Sequence, residues 1–170
     1  MAKDVPYRFG TPFEVQYNEN RQFFTEGTEL FNKADLFYSR RIGSSPINQY
    51  ATNEGANEIV ISNPGSTPLL NATKVSGRTK SGLGIGVFNG ITREVNATIY
   101  DTINHTTREF KTSPLTNYNV LVFDQNLKNN SAVTFTNTSV WRAGKTYDAN
   151  VSALSFDLYN NEQSYNVFGG

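Results

Sequence analysis

Leu83-Gly84-Ile85-Gly86-Val87-Phe88-Asn89-Gly90-Ile91-Thr92-Arg93 is the stretch whose reading decides the fold class. Leu83, Ile85, Val87 and Ile91 recur at even spacing, so they share one face of an extended strand, with Gly84, Gly86 and Gly90 opposite. Glycines along one strand face allow close packing or curvature. The spacing Gly82-x-Gly84-x-Gly86 lacks the later glycine of a dinucleotide fingerprint, and no helix pattern follows it.

The same period runs outward in both directions. Lys74, Ser76 and Arg78 point one way in Leu69–Thr79, with Thr73, Val75 and Gly77 pointing the other. Val95, Ala97 and Ile99 alternate with Asn96, Thr98 and Tyr100. Asn117–Leu127 is a mixed strand, apolar on both faces, and Val133 and Phe135 alternate with threonines as far as Trp141. Tyr147, Ala149, Val151 and Ala153 share a phase that shifts at Leu154, Phe156 and Leu158, which predicts a bulge or a change of surroundings. Turn chemistry separates the strands at Lys80-Ser81-Gly82, Lys128-Asn129-Asn130, Ala143-Gly144-Lys145 and Asn160-Asn161-Glu162. A longer connection is expected over Asp101 to Pro114.

Residues 1–68 read differently. Pro6, Pro12, Pro46, Pro64 and Pro68 break regular structure, and one short helix is expected near Glu26 to Ala34, with Thr25 as its cap. The expected fold is therefore all-β: an irregular segment over 1–68, then an antiparallel meander of about six long strands over 69–170. Strands of about ten residues exceed the usual globular length and match a tilted membrane-spanning strand. Periodicity alone leaves two architectures open, a partial outer-membrane-type β-barrel and a soluble antiparallel sandwich.

Composition narrows the chemistry. Fifteen Lys+Arg balance 15 Asp+Glu in 170 residues, so bulk charge gives no steering of nucleic acid. Cysteine is absent and His105 is the single histidine, which excludes disulfides, thiolate zinc sites and His-rich metal centres. No metal site and no cofactor are expected. No apolar run reaches the ~18 residues of a membrane helix, and no signal peptide is visible.

Arg21-Gln22-Phe23-Phe24-Thr25-Glu26-Gly27-Thr28-Glu29-Leu30-Phe31, with Leu36-Phe37-Tyr38-Ser39-Arg40-Arg41-Ile42-Gly43 after it, resembles the signature of a bacterial family. This is domain of unknown function 5916, the C-terminal domain of proteins that carry an N-terminal carbohydrate-binding module of family nine. Gln22 stands where the family commonly has proline. The resemblance continues through Leu69–Thr79 and Gly82–Val87. It implies a membrane β-barrel in the cell outer membrane, and a parent protein taking part in glycan or nutrient capture or passage. Membrane lipid, the remainder of the parent barrel and a glycan ligand are the implied partners. Measured against the family, the chain reads as a segment, because a single-chain bacterial barrel needs at least about eight strands to close.

Arg21, Phe23, Phe24, Glu26, Gly27, Tyr38, Arg40 and Arg41 are the candidate structural signature. The expectation is that Arg40 or Arg41 pairs with Glu26 or Glu29 and fixes the segment, with no catalysis of its own. The competing readings are a soluble carbohydrate-binding module and a hydrolase using Glu19 or Glu26. Lys74, Arg78 and Trp141 are candidate ligand-facing residues. The face carrying Lys74, Ser76 and Arg78 should be polar, and that of Leu83, Ile85 and Val87 apolar.

Overall fold

The computed structural model describes residues 18–33 and 36–170. Nine strands form two antiparallel sheets among them. The larger has six: β2 (Leu69–Arg78), β3 (Leu83–Thr92), β6 (Thr116–Asn126), β7 (Ala132–Arg142), β8 (Ala149–Tyr159) and β9 (Asn166–Gly169), in that spatial order. The smaller sheet holds β4 (Val95–Asp101) between β1 (Glu58–Ser62) and β5 (Thr106–Ser113). The expected all-β class and antiparallel pairing are present, and no helix follows residue 69.

Three expectations need correction. The stretch from Asp101 to Pro114 is not a loop, because β5 occupies most of it and only a tight turn at 102–105 remains. Asp101 holds that turn by accepting the backbone N–H groups of Ile103 and Asn104 at 2.8 and 3.0 Å. Val95–Asp101 is a strand, yet it joins the smaller sheet. β3 and β4 are nearly continuous, as are β5 and β6, so together they form one long two-stranded ribbon. Pro114 interrupts its ladder because proline has no N–H to donate. At the break the Arg93 N–H turns to the Pro68 carbonyl, 2.8 Å away. β2 flanks the ribbon on one side of this break and β1 on the other.

The third correction is the helix. The chain is helical over Gln22–Thr25 (α1), not over Glu26 to Ala34. Thr25 is no cap; its hydroxyl donates to the Gln22 carbonyl at 3.0 Å. Gly27, at φ +58°, ends the turn in a left-handed conformation that favours glycine. Ala34 lies outside the described residues. The irregular first region also contains β1.

Register assigns the two faces of the six-stranded sheet. Gly84, Gly86, Phe88 and Gly90 are buried, while Ile85 and Val87 between them are exposed. The covered face of β3 is therefore its glycine face. It receives the core cluster of Phe24, Leu30, Phe31, Ile42, Phe88, Val120 and Val122, with Phe37 and Tyr118 at its margin. Each fully buried side chain of this size contributes roughly 1.5–3 kcal/mol. The strand pairing continues the bare face through Val75, Val87 and Leu121, and through Ile85, Phe123, Phe135 and Leu154. The phase shift at Leu154 is no bulge, because β7 and β8 pair without interruption from Ala149 to Asp157. Val151 and Ala153 lie on the covered face, opposite Thr138 and Thr136, while Leu154 and Phe156 lie on the bare face, opposite Phe135 and Val133.

Candidate functional site

Phe24, Leu30 and Phe31 of the signature segment pack on the glycine face of β3, and glycine lets Leu30 and Phe31 approach. A Cβ at Gly84 would sit 2.9 Å from Leu30 Cδ2 and 3.1 Å from Arg78 Nη2, and one at Gly86 would sit 3.2 Å from the Phe31 ring. A bare backbone on this face admits bulky side chains from the segment above it.

Arg21 organises that segment. Its Nε and Nη2 donate to the two carboxylate oxygens of Glu19 at 2.9 and 2.7 Å, a fork that matches the planar carboxylate. Nη1 donates to the Ile42 carbonyl at 2.7 Å, and Nη2 also to the Ser39 carbonyl at 2.9 Å. The guanidinium lies 4.1 Å from the centre of the Phe24 ring. One side chain thus ties the start of α1 to the Tyr38–Ile42 turn. The Ser39 hydroxyl adds a 2.7 Å bond to Glu19. The Arg21 guanidinium, aided by Ser39, holds the Glu19 carboxyl at about 2.

Arg40 and Arg41 do not pair with Glu26 or Glu29. Arg40 Nη1 donates to the Asn18 carbonyl at 2.8 Å, and the Arg41 guanidinium lies 5.8 Å from the Tyr38 ring centre. The Glu26 carboxylate accepts from the Gln22 amide at 2.7 Å. The expected pairing fails because the end of α1 turns Glu26 toward its own helix, four residues back. Asp35, another acid of this region, lies outside the described residues. Phe23 and Phe24 meet edge to face, and both rings approach Phe88.

Lys74 and Arg78, on the covered face of β2, fasten the segment to the sheet. The Lys74 ammonium donates to the backbone carbonyls of Phe23 and Glu26, at the C-terminal end of α1 where a cation is favoured. It also lies 4.9 Å from the Phe23 ring centre. Arg78 donates to the Asp124 carboxylate, and its Nη1 donates to the Gly82 carbonyl at 2.7 Å. Lys33 reaches both oxygens of the same carboxylate at 2.8 Å, and the Thr134 hydroxyl donates to it at 2.7 Å.

Asp124 is fully buried at this meeting point. Burial pushes its carboxyl up, and the bonds from Lys33, Arg78 and Thr134 outweigh burial and bring it below the usual carboxylate value. Lys33 and Asp124 were not legible as a pair, since 91 residues separate them. The only signal was an aspartate on the same strand face as Val120 and Val122, where an acid must be neutralised.

Trp141 stands elsewhere. It is half exposed on the bare face of β7, opposite Asn117. A cavity of about 570 Å³ opens beside Lys33, Thr134, Ser155, Asp157 and Phe168 at the β8–β9 side of the covered face. Among the described residues no three His, Cys, Asp or Glu side chains are grouped to hold a metal ion, and no helix is long and apolar enough to cross a membrane. The geometry is that of a segment tied to itself by Arg21 and clamped to the sheet by Lys74 and the Asp124 knot.

Comparison with known proteins returns no match among curated proteins or solved structures. A family described as "Domain of unknown function (DUF5916)" matches residues 8–170. The match takes in the signature segment and both sheets, and the chain belongs to this family.

Proposed function

We propose that this chain is a non-catalytic wall segment of an outer-membrane β-barrel, with the signature segment as a plug fixed to the lumen side. The observation that carries the reading is the segregation of the two faces. Lys74, Arg78 and Asp124 are on the covered face with the plug. Val75, Ile85, Val87, Phe123, Phe135 and Leu154 are exposed on the other. A soluble sandwich would bury that apolar face against a second sheet, whereas lipid is its natural solvent in a barrel.

The course of the apolar band supports the same reading. On β2 it is centred at Val75, whose register position passes through Val87, Leu121 and Asn137 to Ser152 on β8. On β8 the band is centred instead on Phe156, between Leu154 and Leu158. The band thus slides by about one residue per strand as it crosses the sheet. With ~3.3 Å per residue and ~4.8 Å between strands, that slope is a strand tilt of roughly 35°. Membrane barrels tilt their strands by about 35–45°, so a level lipid belt cuts their registers on such a diagonal.

The parent protein, on this reading, sits in the cell outer membrane and serves glycan or nutrient capture or passage. Its lipid and its further strands are the partners of this chain, and the outer strands β2 and β9 are the edges that those strands close. The test is partitioning of the refolded chain between buffer and phosphatidylcholine vesicles. The reading expects a folded β-signal with vesicles or detergent and association without them. A monomer that unfolds cooperatively in plain buffer would sink it.

A further inference from the structure

β5 is a strand with a neighbour on one side. It pairs with β4 along its length and stands last in the smaller sheet. Its continuation β6 is flanked by β7, yet β7 stops at Arg142, opposite Thr116. The next backbone bond on that side, from the Ala143 N–H to the Leu115 carbonyl at 2.9 Å, ends the pairing. The 143–148 turn then folds back instead of continuing beside β5. The Arg142 N–H donates to Asp148 Oδ1 and Arg142 Nη1 to the Tyr147 carbonyl, both at 2.7 Å. At the inner end of β5 the Thr112 carbonyl accepts from the Asn48 N–H at 2.9 Å. Over 106–111 no second strand lies beside β5 among the described residues. Closing a sheet across β2 and β9 leaves this edge open, because β5 overshoots the strand next to it.

Open edges are ordinarily blunted by proline or by charged side chains. β5 contains no proline, and its three charges are committed elsewhere. Arg108 donates to both oxygens of Glu58 on β1 at 2.7 Å. Glu109 accepts from Asn96 of β4 at 3.0 Å, and Lys111 pairs at 2.6 Å with Glu94, the residue before β4. The charged heads are thus drawn toward β4 and β1, and the outward backbone is left unguarded. Successive residues of an antiparallel strand turn their N–H and C=O groups to alternate sides, so about half of those over 106–111 face away from β4.

We infer that the free edge of β5 receives an extended segment of a partner polypeptide as an added strand. Main-chain hydrogen bonds supply the affinity in this mode, and alternate side chains supply the selectivity. The charges of β5 are already neutralised within the chain, so the segment that fits is uncharged. Phe110, half-buried on the covered face, gives an apolar or β-branched residue of that segment a cross-strand neighbour. The inference goes beyond the barrel reading and stands on the strand pairing alone.

The probe is a fluorescein-labelled peptide of alternating threonine and valine, as long as β5. The full chain is used in phosphatidylcholine vesicles, or in buffer if it stays there, so the outcome does not depend on membrane insertion. The peptide should bind saturably by fluorescence anisotropy, and hydrogen exchange of the fast alternate amides over 106–111 should slow about tenfold or more. A peptide of alternating proline and valine, which lacks half of the N–H donors, should not bind. Thr107→Lys, at an exposed position, puts an unpaired ammonium on the edge and should weaken binding roughly fivefold or more while the β-signal persists. A folded chain that ignores the threonine–valine peptide overturns the inference. So does protection confined to the other open edges, β1, β2 or β9, and so does equal binding of the proline peptide or equal binding by Thr107→Lys. Protection over 106–111 that rises with protein concentration in the absence of peptide makes a second copy the occupant and overturns it likewise.

Discussion

Asp124→Asn should be among the most damaging conservative changes in the chain. The substitution keeps the shape and removes the charge that Lys33 and Arg78 share. Removing one partner of a buried ion pair costs about 3–5 kcal/mol. Here the Lys33 and Arg78 side chains retain 30% and 28% of their exposure, so each can recover some water. The expected loss is therefore about 2–3 kcal/mol. With a urea dependence of about 2 kcal/mol per molar, the unfolding midpoint of the chain in phosphatidylcholine vesicles should fall by about 1 M. Lys33→Met in the Asp124→Asn background should return roughly half of the loss, because one of the two stranded cations is gone. The pH dependence gives an independent check. The folded-state carboxyl lies below its ordinary value, so its contribution is complete above about pH 4 and is lost as pH falls through the folded value. Asp124→Asn should reduce the acid-side decline of the urea midpoint, leaving the share that Glu19 contributes. A change under about 0.5 kcal/mol, with an acid-side decline as steep as in the wild type, would refute the assignment of the knot as the clamp.

Two further substitutions probe the signature segment. Gly84→Ala puts a methyl 2.9 Å from Leu30 Cδ2, so thermal unfolding should show a loss of about 1–3 kcal/mol, and Leu30→Ala in the same chain should not add to it fully. Arg21→Lys keeps the charge but cannot span Glu19, Ser39 and Ile42 at once; about 1–2 kcal/mol should be lost, and limited proteolysis should open the 18–43 segment first. Glu19, held at about 2 by the same guanidinium, ties that segment less firmly as pH falls from its ordinary value toward 2, so wild-type proteolysis in this range should approach that of Arg21→Lys.

The strands were legible because a half-buried sheet writes its period into the sequence. Lys74, Ser76 and Arg78 are on one face as the alternation required, and Leu83, Ile85 and Val87 are apolar on the other. The sequence did not say which face is covered. The glycine face is the covered one because the signature segment supplies the side chains there, and Leu30 and Phe31 come from a region without strand periodicity. β5 escaped notice because Thr106-Thr107-Arg108-Glu109 carries no apolar alternation and its strand is held by pairing with β4. The ion pairs were misassigned for a related reason. Arg40 and Arg41 are close in sequence to Glu26 and Glu29, but the reverse turn at Gly27 sends those acids elsewhere, and Arg21 takes the organising role.

The central claim is that the bare face meets lipid and the covered face does not. The chain has no cysteine, so single cysteines carrying an environment-sensitive dye can be placed at Val87, Phe123 and Leu154 on the bare face, and at Ser76 and Ser155 on the covered face. In phosphatidylcholine vesicles, quenchers attached to the acyl chains should dim the first three dyes and spare the other two. Equal quenching of all five by an aqueous quencher, with no effect of the lipid-bound one, would contradict the account.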